Sequence, residues 1–153
     1  MNSQTPENPS ATTTRHLYFA YGSNLDPDQM DRRCPDAIAI GAASLADHAF
    51  RIGARGYATV SPSPGDTVWG GVWDVSVSDL ARLDTYEGVA SGMYRRETAL
   101  VDVDGQSVAT LIYIEEADDV GSPSDWYLDR VVAGARWFEL PDSYAIDLES
   151  WAA

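Results

Sequence analysis

Glu87 is the residue of this chain best placed for acid–base chemistry. It stands in Asp84-Thr85-Tyr86-Glu87-Gly88, after a stretch in which Leu80, Leu83 and Tyr86 recur every third position, so it falls at the C-terminal end of a short helix. The negative end of the helix dipole disfavours a carboxylate there by ~0.3–1 kcal/mol, and Lys or Arg is the type that position favours. If the surroundings are also apolar, as Tyr86, Met93 and Tyr94 suggest, the carboxyl pKa rises toward the range useful to a general base. The plainer alternative, which the local sequence by itself favours, is a solvated Glu before a helix-ending glycine. Asp84, one turn earlier, competes as a group that orients a neighbour or ties the loop through an Asx-type hydrogen bond.

A second constellation is the aromatic run Leu17-Tyr18-Phe19-Ala20-Tyr21, which stops abruptly at Gly22-Ser23-Asn24 and is followed by Leu25-Asp26-Pro27. The run reads as a buried strand. Gly22 permits a sharp reversal and lets a ligand approach the main chain. Asp26 and Pro27 fit the N-cap and first position of a helix. Such a strand–turn–helix corner turns backbone N–H groups toward one spot, where a carboxylate or a developing oxyanion could sit. A tight turn without a ligand is the alternative. Tyr127, in the first turn of a later helix, could lend its hydroxyl to a pocket, although packing at the domain edge explains it as well. His16 and His48 show no metal-ligand spacing to each other or to Cys34, Ser23 has no partner in the sequence, and Cys34 suits packing better than nucleophilic attack.

The elements that must position these groups alternate between periods of two and of three to four. Strands are expected over 17–21, 37–44, 45–53 (with a turn near Ala46-Asp47), 57–60 and 67–75, the last with a bulge or close approach at Gly70-Gly71. Ser61-Pro62-Ser63-Pro64-Gly65-Asp66 is a strong turn signal. Residues 94–103 and 107–114 form a hairpin about Asp104-Gly105. Helices are expected over 26–34, 77–86 (capped by Ser76 or Ser78 and ended by Gly88), 126–140 (capped by Ser124 or Asp125) and 144–151. The mixture is α+β, a small mixed and mostly antiparallel β-barrel with flanking α-helices.

The 153 residues suit one domain over 15–153 after a polar, disordered tail over 1–14. The net charge is −14, and all ten basic residues are Arg, a balance that argues against nucleic-acid or anionic-membrane binding. A single Cys, a polar N-terminus and no apolar run near ~18 residues point to the cytoplasm. The apolar side of the 126–140 helix can pack internally or against a copy, which leaves a homodimer open.

Three stretches in order resemble the gamma-glutamylcyclotransferase family: residues 18–25 (Tyr-Phe-Ala-Tyr-Gly-Ser-Asn-Leu), 64–73 (Pro-Gly-Asp-Thr-Val-Trp-Gly-Gly-Val-Trp) and 83–94 (Leu-Asp-Thr-Tyr-Glu-Gly-Val-Ala-Ser-Gly-Met-Tyr). The resemblance covers residues 17–140 and implies a small mixed barrel. It implies that Glu87 is the catalytic acid/base and that Tyr18, Phe19, Ala20, Tyr21, Gly22 and Ser23 form the substrate-binding loop. Tyr127 matches a substrate-contacting tyrosine, although Ser122-Pro-Ser-Asp-Trp126 around it departs from the family pattern. No metal or organic cofactor is implied. The expected reaction is closure of a γ-glutamyl-amino acid to 5-oxoproline with release of the amino acid. A γ-glutamylamine or carrier-linked substrate, or a silent binding module for a small ligand, stands as the alternative. Gly-Ser-Asn-Leu, where the glutathione-specific branch resembles Gly-Ser-Leu, makes intact glutathione the less favoured substrate.

Overall fold

The computed structural model describes residues 14–116 and 119–152, so the tail expected over 1–14 lies, Thr14 apart, outside the described residues. Five strands close into a barrel in the order β1 (Arg15–Ala20), β3 (Ala58–Ser76), β2 (Ile38–Ile52), β4 (Arg95–Val103) and β5 (Gln106–Ile114). β5 returns to β1 in parallel at Tyr18↔Leu111, and the other pairings are antiparallel. The α-helices are α1 (Pro27–Arg33), α2 (Val77–Tyr86), α3 (Asp125–Trp137) and α4 (Asp142–Glu149), with 3-10 turns at Ser23–Leu25 and Val89–Ser91. No helix among the described residues is long and apolar enough to cross a membrane. The mixed barrel with flanking helices is the expected α+β architecture.

Several local signals act as read. Asp104 and Gly105 both take positive φ, the geometry of a two-residue primed turn, and bring Val103 opposite Gln106. Ser76 caps α2 in a full capping box with Asp79, and Ser124 Oγ accepts the Tyr127 N–H at 3.2 Å. Pro27 opens α1 with Asp26 at the N-cap position. The Asp26 carboxylate does not cap, because the Arg130 guanidinium on α3 takes it at 2.7 Å. α3 ends at Trp137 rather than near 140, since Glu139 turns left-handed at φ 59°. Val131 and Ala135 on its apolar side bury into the chain's own core.

Two turn signals are overridden. β2 runs unbroken through Ala46-Asp47, and β3 runs through Ser61–Asp66. The turn chemistry survives as an irregularity in one ladder. Ala46 pairs with Thr67 and His48 with Pro62, so residues 63–66 lie opposite Asp47 alone. Asp47 (φ 59°) and Gly65 (φ 87°) adopt the left-handed region, and the Gly65 N–H donates to Asp47 Oδ1 at 2.9 Å. Paired strand on both flanks holds the chain's direction, so the surplus residues bulge instead of reversing it. At Gly70-Gly71 the register is continuous, and the glycines serve close approach. A Cβ on Gly70 would stand 2.3 Å from the Ala20 carbonyl oxygen, and one on Gly71 would stand 2.5 Å from the Phe138 ring.

α3 docks on the turn after β1 through Gly134, whose hypothetical Cβ lies 2.3 Å from the Leu25 carbonyl carbon and 2.6 Å from the Asp26 nitrogen. Those are backbone atoms and cannot yield cheaply. Gly134→Ala gains ~1 kcal/mol of helix propensity, but overpacking of this kind costs typically ~1–3 kcal/mol and occasionally more. The steric term wins at so short an approach. A lowered urea midpoint with an unchanged m-value is the expected result, and an unchanged or raised midpoint would show that α3 can slide away from the turn.

Candidate active site

The turn after β1 is held from three sides. Gln29 Nε2 donates to Ser23 Oγ (2.7 Å) and to Asn24 Oδ1 (2.8 Å). Asn24 Nδ2 donates to the Tyr18 hydroxyl at 3.0 Å, and Trp73 Nε1 donates to the Asn24 carbonyl at 2.9 Å. Arg33, one helical turn beyond Gln29 on the same face of α1, reaches Asn24 Oδ1 at 3.2 Å and stacks 4.4 Å over the Tyr86 ring. The turn is therefore a built surface, pinned to the barrel by Trp73 and to α1 by two side chains.

This surface forms one wall of a cavity of ≈ 340 Å3, a volume that suits a small molecule. The lining includes Tyr18, Tyr21, Gly22, Ser23, Arg33 and Glu87, and also Arg55, Tyr94, Tyr113 and Tyr127. Among the described residues Glu87 is the one carboxylate that lines it. Glu87 closes α2 as its C-cap, with its N–H donating to the Leu83 carbonyl at 2.8 Å. Gly88, left-handed at φ 64°, then turns the chain so that the Tyr94 N–H returns to the Glu87 carbonyl at 3.2 Å. The side chain is half-buried. Burial pushes its pKa up to about 7, against the opposing pull of Arg33 and Arg55, and Glu115 adds to the rise. A carboxyl group with that pKa exchanges protons readily at neutral pH.

The cavity's phenols behave differently. Burial is the leading cause of a raised pKa at Tyr18, Tyr21, Tyr94 and Tyr113, and it holds Tyr127 at about 12. All five stay neutral at physiological pH, and the nearby Glu87 charge adds to the rise at Tyr18, Tyr21, Tyr94 and Tyr127. Tyr21 donates to the Tyr113 carbonyl, and Tyr94 donates to the Ala58 carbonyl at 2.6 Å. The Tyr127 oxygen instead accepts the Ala58 N–H at 3.0 Å and approaches Gly22 so closely that a Cβ there would stand 2.9 Å away. Its own O–H has no acceptor among the described residues, which leaves a neutral donor in the cavity wall.

The structure thus brings Glu87, Tyr18, Tyr21, Gly22, Ser23 and Tyr127 to one cavity. Phe19 and Ala20 do not line it. Strand alternation sends Phe19 to the face opposite Tyr18, where its fully buried ring packs by Gly70, and Ala20 lies in the core. The continuous loop expected over 18–23 is therefore an interrupted one. Asp84 is the orienting neighbour: it accepts the Tyr113 hydroxyl at 2.7 Å and pairs with Arg96 at 2.6 Å. Cys34 is buried with its thiol pushed up to about 12, first by burial, which makes it a packed residue rather than a nucleophile. His48 is half-buried on β2, with Nδ1 2.8 Å from the Ala46 carbonyl oxygen, and His16 lies in β1 away from the cavity.

Sequence reasoning missed Gln29, Arg33, Arg55 and Tyr113 as cavity residues, whereas Tyr94 was expected beside Glu87. The first two carried a usable signal, since Gln29 and Arg33 sit four apart on a helix that starts at the turn. Tyr94 and Tyr113 are brought together by the antiparallel pairing of β4 with β5, and they reach the glycine turn through barrel closure. Arg55 sits in a loop with no periodicity to read.

The closed mixed barrel with flanking helices is an architecture shared with known proteins. The AIG2-like family matches residues 67–148. Gamma-glutamylcyclotransferases of Bos taurus and Homo sapiens are 36% and 35% identical over 145 residues, covering 88% of this chain and 77% of theirs. A solved gamma-glutamyl cyclotransferase structure superposes with a TM-score of 0.85 at 34% identity, over 90% of this chain and 88% of that one. The chain belongs to the gamma-glutamylcyclotransferase family.

Proposed function

We propose that this chain is a gamma-glutamylcyclotransferase, closing a γ-glutamyl-amino acid to 5-oxoproline and releasing the amino acid. The observation that carries the reading is Glu87: one carboxylate, raised by burial to about 7, in a cavity whose lining includes a glycine turn, several tyrosines and two arginines.

The parts suit an intramolecular aminolysis. Glu87 takes a proton from the substrate's α-ammonium, which frees the nitrogen lone pair. That nitrogen attacks the γ-carbonyl of the same glutamyl unit, forming the ring C–N bond. Because both reactants belong to one molecule, the substrate supplies the proximity that a bimolecular reaction lacks. The tetrahedral oxyanion needs hydrogen-bond donors, and the Tyr127 O–H and the backbone of the 21–23 turn are the groups we assign to it. As the original amide C–N bond breaks, Glu87 delivers its proton to the departing nitrogen. The second proton shed by the attacking nitrogen on ring closure ends on the freed amine, an ammonium at neutral pH. Arg33, tied to the turn through Asn24, supplies positive charge for the glutamyl α-carboxylate.

The test is 5-oxoproline release from γ-glutamyl-amino acids, γ-glutamyl-ε-lysine and glutathione. The expected ranking places γ-glutamyl-amino acids first and intact glutathione last. Binding of these compounds without release from any of them would sink the reading in favour of a silent binding module.

A further inference from the structure

A γ-glutamyl-amino acid carries two carboxylates, and the cavity carries two guanidiniums. Arg33, at the end of α1, is tied to the turn proposed for the glutamyl end, whereas Arg55 lies in the short loop between β2 and β3. Catalysis as described gives Arg55 no task. From its placement we infer that Arg55, held by Glu115, receives the α-carboxylate of the departing amino acid and so restricts the enzyme to γ-glutamyl conjugates of α-amino acids, against those of simple amines. This rests on the cyclotransferase reading above.

Arg55 is preorganised for that task. Its Nε donates to Glu115 Oε2 at 2.7 Å, and its Nη2 donates to the same oxygen. Its Nη1 has no partner among the described residues, so both N–H donors of Nη1 and the second N–H of Nη2 remain unengaged beside the cavity. The holding group is itself fixed. The Glu115 N–H donates to Thr59 Oγ1 at 3.0 Å, the Glu115 carbonyl accepts the Thr59 hydroxyl at 2.7 Å, and the side chain is only 11% exposed. The guanidinium lies 5.6 Å from the Tyr57 ring centroid and 5.9 Å from that of Tyr94, both of which line the same cavity.

The loop that carries Arg55 is also tied down. Gly53 bridges to Val120, and the Gly121 N–H donates to the Ile52 carbonyl at 2.9 Å. The Arg55–Glu115 pair thus lies where the loop after β2 meets the segment after β5. A donor fork fixed before binding loses little entropy when it closes on a carboxylate. A site built to hydrogen-bond one group discriminates against the analogue that lacks it.

The experiment compares γ-glutamyl-L-phenylalanine with γ-glutamyl-phenethylamine, whose leaving groups differ by the carboxylate alone. The unmodified enzyme is expected to prefer the phenylalanine conjugate by about 10–100-fold in kcat/KM, the range of a charge-assisted hydrogen bond. Arg55→Ala and Arg55→Gln should bring that ratio toward unity, chiefly by raising KM for the phenylalanine conjugate. A melting transition within a few degrees of the parent reports that each variant is folded. Glu115→Gln, which loosens the fork without removing it, should lose part of the preference. Release from both conjugates with the preference intact in both Arg55 variants overturns the assignment of Arg55 alone, as does an unmodified enzyme with no preference. Release from neither conjugate by the unmodified enzyme overturns the cyclotransferase reading and this one with it.

Discussion

Glu87→Gln is expected to lower kcat for 5-oxoproline release by about 10²–10⁴-fold, the usual contribution of a positioned general acid–base. Gln keeps the shape of the side chain and cannot exchange a proton, so the loss is chemical. Two independent readouts separate that loss from damage to the fold. The first is the pH profile of kcat/KM, whose acid limb should fall near pH 7, because Glu87 must be ionised in the free enzyme and its pKa is about 7. The second is stability. The pKa of Glu87 is raised from 4.5 to about 7 on folding, so ionising it opposes the folded state. Its contribution to stability is fully present below pH 4.5 and is lost as the pH climbs through 7. Gln has no such loss. At pH 8 the variant should therefore be the more stable protein by on the order of 1–3 kcal/mol, a figure reduced for the partial exposure of the group, while at pH 4 the two should melt alike. A variant that lost activity and stability together at pH 8 would mean that Glu87 is a structural residue.

Gly22→Val should cost nearly as much activity, by a different route. Gly22 has φ −106° and ψ −140°, so its φ is negative and open to L-residues. Close packing is the reason for glycine here. A Cβ would meet the Tyr127 hydroxyl at 2.9 Å and the Ala58 Cβ at 3.3 Å, and valine adds two methyl groups beyond it. Either the turn or the hydroxyl must move. Moving the hydroxyl breaks its hydrogen bond with the Ala58 N–H and displaces the donor from the cavity wall. We expect kcat/KM to fall by about 10²-fold or more, as misplacement near 1 Å can produce, with a stability loss of about 1–3 kcal/mol from overpacking. Tyr127→Phe in the Gly22→Ala background makes the steric account testable. Removing the hydroxyl relieves the clash, so the double variant should recover stability relative to Gly22→Ala but not activity. Wild-type turnover by Gly22→Val would rule out this corner as part of the site.

The sequence by itself determined what is local. Gly88 had to end α2 and Asp104-Gly105 had to reverse a hairpin, because those backbone geometries depend on residues a few positions apart. The same holds for the Ser76 cap, for Pro27 opening α1 and for Glu87 at a helix end. Charge and composition were legible too, and so was the order of the three stretches that resemble the family. The tertiary structure decided the rest. The turn signals at Ala46-Asp47 and Ser61–Asp66 became a bulge, because pairing on both flanks outweighs local turn preference. Phe19 was indistinguishable in type from its neighbours until the strand's alternation turned it away from the cavity. Gln29 and Arg33 from α1, Arg55 from a loop, Tyr94 from the approach to β4 and Tyr113 from β5 share one cavity only after the barrel closes. The rise at Glu87 arises foremost from burial, a property of everything packed around the group, which no run of residues beside it can report.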